Sequence, residues 1–344
     1  MALQPLRRRV DNIQQGRRNV FINGNMEIRQ RGDTGTYTSG IWKYLSTDRW
    51  MGHFDGSPTG ATQRNISGGP NSLSNRHAEL RGPSSGGNGN CYFGQRVESS
   101  NLASIRYHNV MTLSGYIKRS GSNSNSTASF NIICPTATDN YASYTTHGST
   151  FDNDGSTIDQ DGTINSSGNL VLTTADRWYY FTARKTNPVG LTNFDKGMQF
   201  YFGIQGLSST SDKYQFAQLQ LEAGRHATPF ELVSVDETME QCQRYYSEFM
   251  ASAQEWIYFE GNTSNHKWWF SDVPKKMRAT PTVTNDGGFT GAGAGNTVSS
   301  ISTQSIRNSR VSWRVAFSSA HGSSYQMRHV DCFDGNKIYY DAEL

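Results

Sequence analysis

From Asn19 to about Leu232 the chain alternates apolar and polar residues in short runs. Examples are Val20-Phe21-Ile22-Asn23-Gly24, Val110-Met111-Thr112-Leu113-Ser114-Gly115-Tyr116-Ile117 and Met198-Gln199-Phe200-Tyr201-Phe202-Gly203-Ile204. A period of two, broken by Gly, Asn, Ser and Asp, is the mark of half-buried strands joined by turns. Such strands with long returns predict an antiparallel sandwich of jelly-roll type. The stretch from Ser57 to Asn90 is dominated by Ser, Gly and Asn and reads mostly as a long surface loop, a natural location for binding on a rigid sandwich.

The period changes after the sandwich. Phe216, Leu219 and Leu221 end a strand, and Gly224 and Thr228-Pro229 turn the chain. Ser234 with Glu237 three residues later then forms a capping box that starts a helix. Val235, Met239, Cys242 and Tyr246 recur at helical spacing, so one stripe is expected to face a core. Beyond it Trp256-Ile257-Tyr258-Phe259, Lys267-Trp268-Trp269-Phe270, Thr282-Val283-Thr284, Val311 to Phe317 and Lys337-Ile338-Tyr339-Tyr340 give a second set of strands. At the other end Leu3, Leu6, Val10 and Ile13 are spaced three, four and three apart, the seam of a short helix that is either a docking or oligomerisation peg or a frayed basic tail. The expected organisation is all-β: 1–18 an N-terminal docking helix, 19–233 a jelly-roll sandwich, 234–250 a connecting helix, 251–344 a small C-terminal β-sandwich.

Composition supports this fold class. A hydrophobic content of 35% in 344 residues is low for an α/β enzyme, while Gly 34, Tyr 17, Phe 17 and Trp 7 suit short strands, many turns and aromatic cores. A net charge of +3, with basic residues clustered only at Arg7, Arg8 and Arg9, argues against a nucleic-acid partner. Cys91, Cys134, Cys242 and Cys332 include no CxxC pair and are expected to be buried, reduced thiols. The chain holds no apolar run of the roughly 18 residues that cross a bilayer, and Val10 to Gln15 supplies no signal-peptide core, so neither membrane insertion nor conventional secretion is expected.

Candidate chemistry is sparse. Trp268 and Trp269 are adjacent on a strand and point to opposite faces, so one is available either to stack on a sugar ring or to pack against another subunit. His321 and Tyr325, on the Ala320 to Tyr325 turn, offer stacking and hydrogen bonding at a loop tip, or form an ordinary surface loop. Asp152, Asp154, Asp159 and Asp161 bring four carboxylates into neighbouring turns, but their order departs from a calcium loop, and neither a metal nor any other cofactor is expected. Pairing Asp152 with Asp159 as glycosidase carboxylates finds no other support, and no GxSxG, HExxH or Walker pattern is present, so no catalytic residue and no enzymatic activity are expected. Arg31-Gly32-Asp33 reads as a turn, not as a recognition tripeptide.

Several passages, taken in order, resemble bacteriophage tail-fibre and related virion-appendage proteins that carry a carbohydrate-binding-module-like sandwich. Asn23 to Gly32 with Thr47-Asp48-Arg49-Trp50 is similar to the module's opening, Thr174 to Phe181 to an inner strand, and Gln218 to Gly224 with Ala227 to Glu231 to its final strand. Gln241 to Tyr246 is similar to the helix that follows, and Met277 to Thr284 with Asp341 to Leu344 to the small β domain that ends many fibres. The resemblance implies a virion structural protein, assembled in the bacterial host cytoplasm. It would be a homotrimeric short fibre or spike that joins other virion proteins through its N-terminus and meets bacterial surface glycan. A capsid or tail decoration protein and a polysaccharide depolymerase are the alternatives.

Overall fold

The computed structural model describes residues 17–56, 60–84, 89–121, 127–148, 151–250, 257–263, 266–272, 277–285, 289–291, 298–307, 310–317, 328–332 and 337–343, with side chains through Glu248 and beyond it only at 277–284, 337 and 339–343. The N-terminal segment with Leu3, Leu6, Val10 and Ile13 lies outside the described residues. The chain divides into two compact units, with the boundary between Val235 and Asp236.

Among the described residues the first unit contains fifteen strands in chain order: β1 Thr34–Thr36, β2 Lys43–Tyr44, β3 Met51–Phe54, β4 Thr62–Ser67, β5 Arg76–Arg81, β6 Gly89–Val97, β7 Val110–Ser120, β8 Thr127–Ala137, β9 Asn140–His147, β10 Asp152–Ile158, β11 Thr163–Ile164, β12 Leu170–Val171, β13 Trp178–Thr186, β14 Met198–Leu207 and β15 Lys213–Ala223. They make two antiparallel sheets, one in the order β1-β4-β5-β15-β7-β13-β10, the other β11-β12-β8-β14-β6-β3-β2 with β9 also on β8. From β5 to β8, and again from β13 to β15, successive strands belong to alternate sheets, the connectivity of a jelly roll. A short helix, α1 (Ala103–His108), bridges β6 and β7.

The sheets meet through the inward side of each period-two pattern. Phe93 of β6, Phe200 and Phe202 of β14 and Phe216 of β15 are fully buried. Phe93 stacks on Trp50 at 5.0 Å and on Phe216 at 4.9 Å between ring centroids. Each such ring stabilises the folded state by about 1.5–3 kcal/mol through removal of apolar area from water.

Two expectations are corrected. The stretch from 57 to 90 is not one long loop: it contains two strands of six residues each, β4 and β5. They were hidden because polar residues occupy inward positions: Gln63 Nε2 donates to the Trp50 carbonyl at 3.3 Å, and Asn65 Nδ2 to the Met26 carbonyl at 2.8 Å and to Thr47 Oγ1 at 3.1 Å. Conversely, Val20 to Gly24 forms no strand. It is tied to β15 by side chains as well as backbone: Asn19 Nδ2 donates to the Leu219 carbonyl at 3.0 Å, Asn19 Oδ1 accepts from Leu221 N–H at 3.1 Å, and Leu219 N–H donates to the Gly24 carbonyl at 2.9 Å. A Cβ at residue 24 would collide with the Leu219 carbonyl, so only glycine allows this approach.

In the second unit, α2 (Val235–Gln243) begins immediately after Ser234. Of the expected stripe, Cys242 and, just beyond the helix, Tyr246 are buried and Met239 is half-buried, whereas Val235 is 55% exposed; Thr238 and Tyr245 are buried beside them. Among the described residues nine strands follow: β16 Tyr246–Met250, β17 Ile257–Thr263, β18 His266–Asp272, β19 Thr282–Asn285, β20 Phe289–Gly291, β21 Val298–Arg307, β22 Arg310–Phe317, β23 Arg328–Cys332 and β24 Lys337–Asp341. They form a sheet β16-β24-β19 and a sheet β20-β23-β17-β18-β22-β21. The molecule is thus all-β with one short helix at the junction, as the pattern of its sequence predicts.

Candidate functional site

The outward residues of β6 and β14 build an aromatic platform on the sandwich. Both strands contain the run Tyr-Phe-Gly, at 92–94 and 201–203. Their antiparallel register sets Tyr92 opposite Gly203, Phe93 opposite Phe202 and Gly94 opposite Tyr201. The phenylalanines go inward, and each tyrosine has a glycine as its cross-strand partner. The two tyrosine rings therefore share the space left by two missing side chains and meet edge to face at 5.7 Å and 75°. Covering a strand glycine with an aromatic ring also steadies the sheet, so the pair has a structural role as well.

Two further rings complete the platform. Trp42, half-buried just before β2, lies 6.0 Å from Tyr92 and 5.5 Å from Tyr201, and His53 of β3 lies 5.1 Å from Trp42 and 5.3 Å from Tyr92. Ile133, Tyr141 and the buried Tyr201 form an apolar cluster, separate from the core between the sheets, against which Trp42 and Tyr92 pack. Tyr144 of β9 is 49% exposed at the far side of β8.

Polar groups rim the rings. Tyr92 Oη donates to Asp55 Oδ2 at 2.9 Å, and Asp55 Oδ1 is 3.5 Å from His53 Nδ1. Burial, then the Asp55 hydrogen bond, push the Tyr92 hydroxyl up to about 12, so it is a neutral donor at physiological pH. Asn131 Nδ2 donates to Ser129 Oγ at 3.0 Å, and Ser129 Oγ donates to the Gly203 carbonyl at 3.2 Å. Flat faces bordered by a carboxylate, an imidazole, hydroxyls and an amide suit a ligand with an apolar face and hydroxyls around its edge.

The sequence-predicted sites lie elsewhere. Trp268 is on β18, where its register partner is Arg314 of β22, and its side chain lies outside the described residues, as do His321 and Tyr325 altogether. The four acidic residues each have their own partners. Asp152 accepts from Thr186 N–H and Oγ1, both at 2.7 Å, Asp154 pairs with Arg184 at 3.1 Å, and Asp159 accepts from Tyr180 N–H at 2.9 Å. Asp161 accepts from Thr174 Oγ1 at 2.6 Å and Tyr179 Oη at 2.9 Å. Among the described residues there is no group of three or more metal-ligating side chains. Arg31-Gly32-Asp33 is a turn, with Gly32 N–H donating to the Arg29 carbonyl and Asp33 paired with Arg29 at 2.7 Å and Arg76 at 3.0 Å. Among the described residues no helix is long and apolar enough to cross a membrane.

Sequence reasoning missed Trp42, His53, Asp55, Tyr92 and Tyr201. The repeated Tyr-Phe-Gly was the available signal, but only strand pairing makes it a platform.

No family model matches the chain, and no curated protein does. Among solved structures it is similar to a Bacteroides thetaiotaomicron protein named for a proposed sugar-binding role, at 12% identity over 60% of this chain and 100% of the other, with a TM-score of 0.36. It is also similar to the wild-type ENZbleach xylanase, at 12% identity over 64% of this chain and 98% of the other, with a TM-score of 0.29. The xylanases among these matches correct the expectation that the chain is not an enzyme.

Proposed function

We propose that the chain is a glycan-binding virion-appendage protein, a short fibre or spike that attaches to bacterial surface polysaccharide through the sandwich. The observation that supports this most directly is the platform of Trp42, Tyr92 and Tyr201 with Asp55 and His53 at its edge. An aromatic face takes the C–H side of a sugar ring, and the bordering groups read its hydroxyls. The virion setting is supported by the ordered motifs that resemble phage fibres. In this reading the chain is a homotrimer docked to other virion proteins through Leu3, Leu6, Val10 and Ile13, because weak sugar contacts gain strength when several subunits engage one surface.

The test is titration of the full-length chain, and of Trp42→Ala, with purified host polysaccharide. Binding weakened several-fold to about tenfold, with an unchanged melting temperature, is the expected result. Unchanged binding by the folded variant would remove the platform from the proposal, and failure of the wild-type chain to bind any host glycan would turn the reading towards a decoration protein.

A second reading is favoured by Asp55, a carboxylate at the edge of the platform that is hydrogen-bonded to Tyr92. Glycosidases work with carboxyl groups beside the scissile bond. Release of reducing ends from the same polysaccharide, abolished in Asp55→Asn, would make the chain a depolymerase.

A further inference from the structure

The opposite face of the sandwich carries a second arrangement, built on one row that crosses five strands. The register aligns Arg64 of β4, Glu79 of β5, Gln215 of β15, Lys118 of β7 and Trp178 of β13. At the strand spacing of about 4.8 Å this row is about 19 Å long. In the next row Arg81 lies opposite Lys213, and on the other side Tyr116 lies opposite Tyr180.

Glu79 is the centre of the charge. It is 3% exposed, accepts from Gln215 Nε2 at 2.9 Å and pairs with Arg81 at 3.1 Å, Arg64 at 3.7 Å and Lys213 at 4.0 Å. Three cations thus share one carboxylate, and Lys118 adds a fourth, its ammonium 5.1 Å from the Trp178 ring centroid. The neutral His77 beside them contributes no charge. Its Nδ1 bonds the Gly68 carbonyl at 2.7 Å as donor, so its Nε2 accepts from Gln215 Nε2 at 3.2 Å.

This arrangement leaves two needs unmet. Most of the cationic charge has no counter-charge in the cluster. The Gln215 side chain is 94% buried, since its exposure is 6%, yet among the described residues its amide oxygen receives no hydrogen bond. An unpaired buried acceptor and an excess of cations with a third or less of their side chains exposed are the features of a site for an anion that also brings a hydroxyl.

We propose that this face binds a carboxylated saccharide, with Arg64, Lys213 and Lys118 holding its carboxylates and Trp178 stacking on a sugar ring. The cations are held flat on the sheet by Glu79 and Trp178, which suits discrete carboxylates at fixed separation, and the neighbouring Tyr116–Tyr180 pair, 5.1 Å apart, extends the stacking surface. The proposal extends the glycan reading to a second face and rests on residues that the platform does not use.

The experiment titrates the folded full-length chain with polygalacturonate, with dextran as the uncharged polymer and duplex DNA as the other polyanion. Polygalacturonate is expected to bind, to weaken with added salt, and to lose at least about tenfold in affinity in Arg64→Gln combined with Lys213→Gln. Because those substitutions also remove partners of Glu79, Lys118→Gln is the second variant: it leaves the ion pairs of Glu79 in place and is expected to weaken the same polymer several-fold. Host polysaccharide titrated against Trp42→Ala and polygalacturonate titrated against Lys118→Gln are separate readouts, so failure of the platform and failure of this site are told apart. The proposal is overturned if the wild-type chain ignores polygalacturonate at low salt or if Lys118→Gln binds it as well as wild type. It is also overturned if duplex DNA binds as tightly and responds identically to the substitutions, which would mark a generic cationic surface.

Discussion

Tyr92 lies directly across the strand pair from Gly203, and the same exchange is repeated two residues away with Tyr201 across from Gly94. The two glycines nevertheless differ in what surrounds them. A Cβ at 203 would come within 2.6 Å of Ser129 Oγ, which can rotate away, and would touch the Tyr92 ring at an ordinary 3.7 Å. A Cβ at 94 would collide with the Phe200 carbonyl, which is backbone and cannot. Gly94→Ala is therefore expected to cost about 1–3 kcal/mol of stability or more, and Gly203→Ala clearly less. Urea denaturation of the two variants checks the order, and equal costs would show that the pair is more pliable than its geometry implies.

Stacking and hydrogen bonding at the platform separate by substitution. Tyr92→Phe keeps the ring against Gly203 and Tyr201 but removes the hydroxyl that donates 2.9 Å to Asp55. It is expected to change glycan affinity by less than threefold, on the order of one weakened neutral hydrogen bond, whereas Trp42→Ala removes a whole ring and costs more. Calorimetric titration of both variants with one polysaccharide gives the comparison. A larger loss in Tyr92→Phe would mean that Asp55 and its donor, not the rings, dominate recognition.

These residues also show what a sequence can and cannot reveal. The inward run Phe200, Phe202, Ile204 announces β14 because its apolar residues alternate. Strand β4 announces nothing, since its inward Gln63 and Asn65 bond to loop backbone that only the fold brings near. The helix at the junction is legible from Ser234 and Glu237, and Cys242 and Tyr246 of its expected stripe are buried, while Val235 at its start is exposed and Thr238 is buried. Trp42, Asp55 and Tyr92 are 50 residues apart at most but lie on separate strands and loops, and no linear spacing marks them as neighbours. Charge was equally opaque: a chain of net +3 hides three cations around Glu79 because their clustering arises from strand register.

The thiols provide a chemical check on the core. Cys91, Cys134 and Cys242 are free and buried. Burial pushes both the Cys91 and the Cys134 thiols up to about 12, well away from the thiolate form that reacts. Native protein treated with iodoacetamide near neutral pH is expected to remain unmodified at these two positions and to be alkylated at both after unfolding in urea. Peptide mass spectrometry reads the result, and rapid native labelling of Cys91 would contradict its burial.

The start of the sandwich is fastened to its end. Glu231 accepts from the Arg18 and Asn19 N–H groups at 3.2 and 2.8 Å, and Asn19, 3% exposed, satisfies Leu219 and Leu221 of β15. In Asn19→Ala the Leu219 carbonyl and the buried N–H groups of Phe21 and Leu221 lose this partner, which is expected to cost about 1–3 kcal/mol. Glu231→Gln keeps one acceptor oxygen on a more exposed group and is expected to cost less than 1 kcal/mol. Thermal melts of the two variants test the ranking, and a neutral Asn19→Ala would mean that water replaces the side chain.

His77 gives the sandwich a pH dependence whose sign can be worked out. Burial is the largest influence on it and lowers its pKa from the ordinary 6.5; the Gly68 carbonyl and Glu79 oppose this, while Lys118 and Arg76 add to the lowering. Trp178 covers the ring edge to face at 5.6 Å, and Gln215 donates to its Nε2, which must then be unprotonated. The folded chain consequently binds the proton more weakly than the unfolded chain does. The stability this group contributes is present above the unfolded pKa and is lost as pH falls below about 6.5 towards the lower folded value. Asp152, whose burial raises its pKa but is outweighed by its bonds to Thr186 and Lys185 so that the pKa falls below 3.8, gives up its contribution in a separate and more acidic window. The melting temperature of the wild-type chain is therefore expected to decline between about pH 7 and pH 5, and that of His77→Gln to decline less over the same range. Parallel curves for the two proteins would show that His77 is not the group that titrates, and a wild-type curve that rises towards acid would reverse the sign and require a protonated imidazole in the folded state.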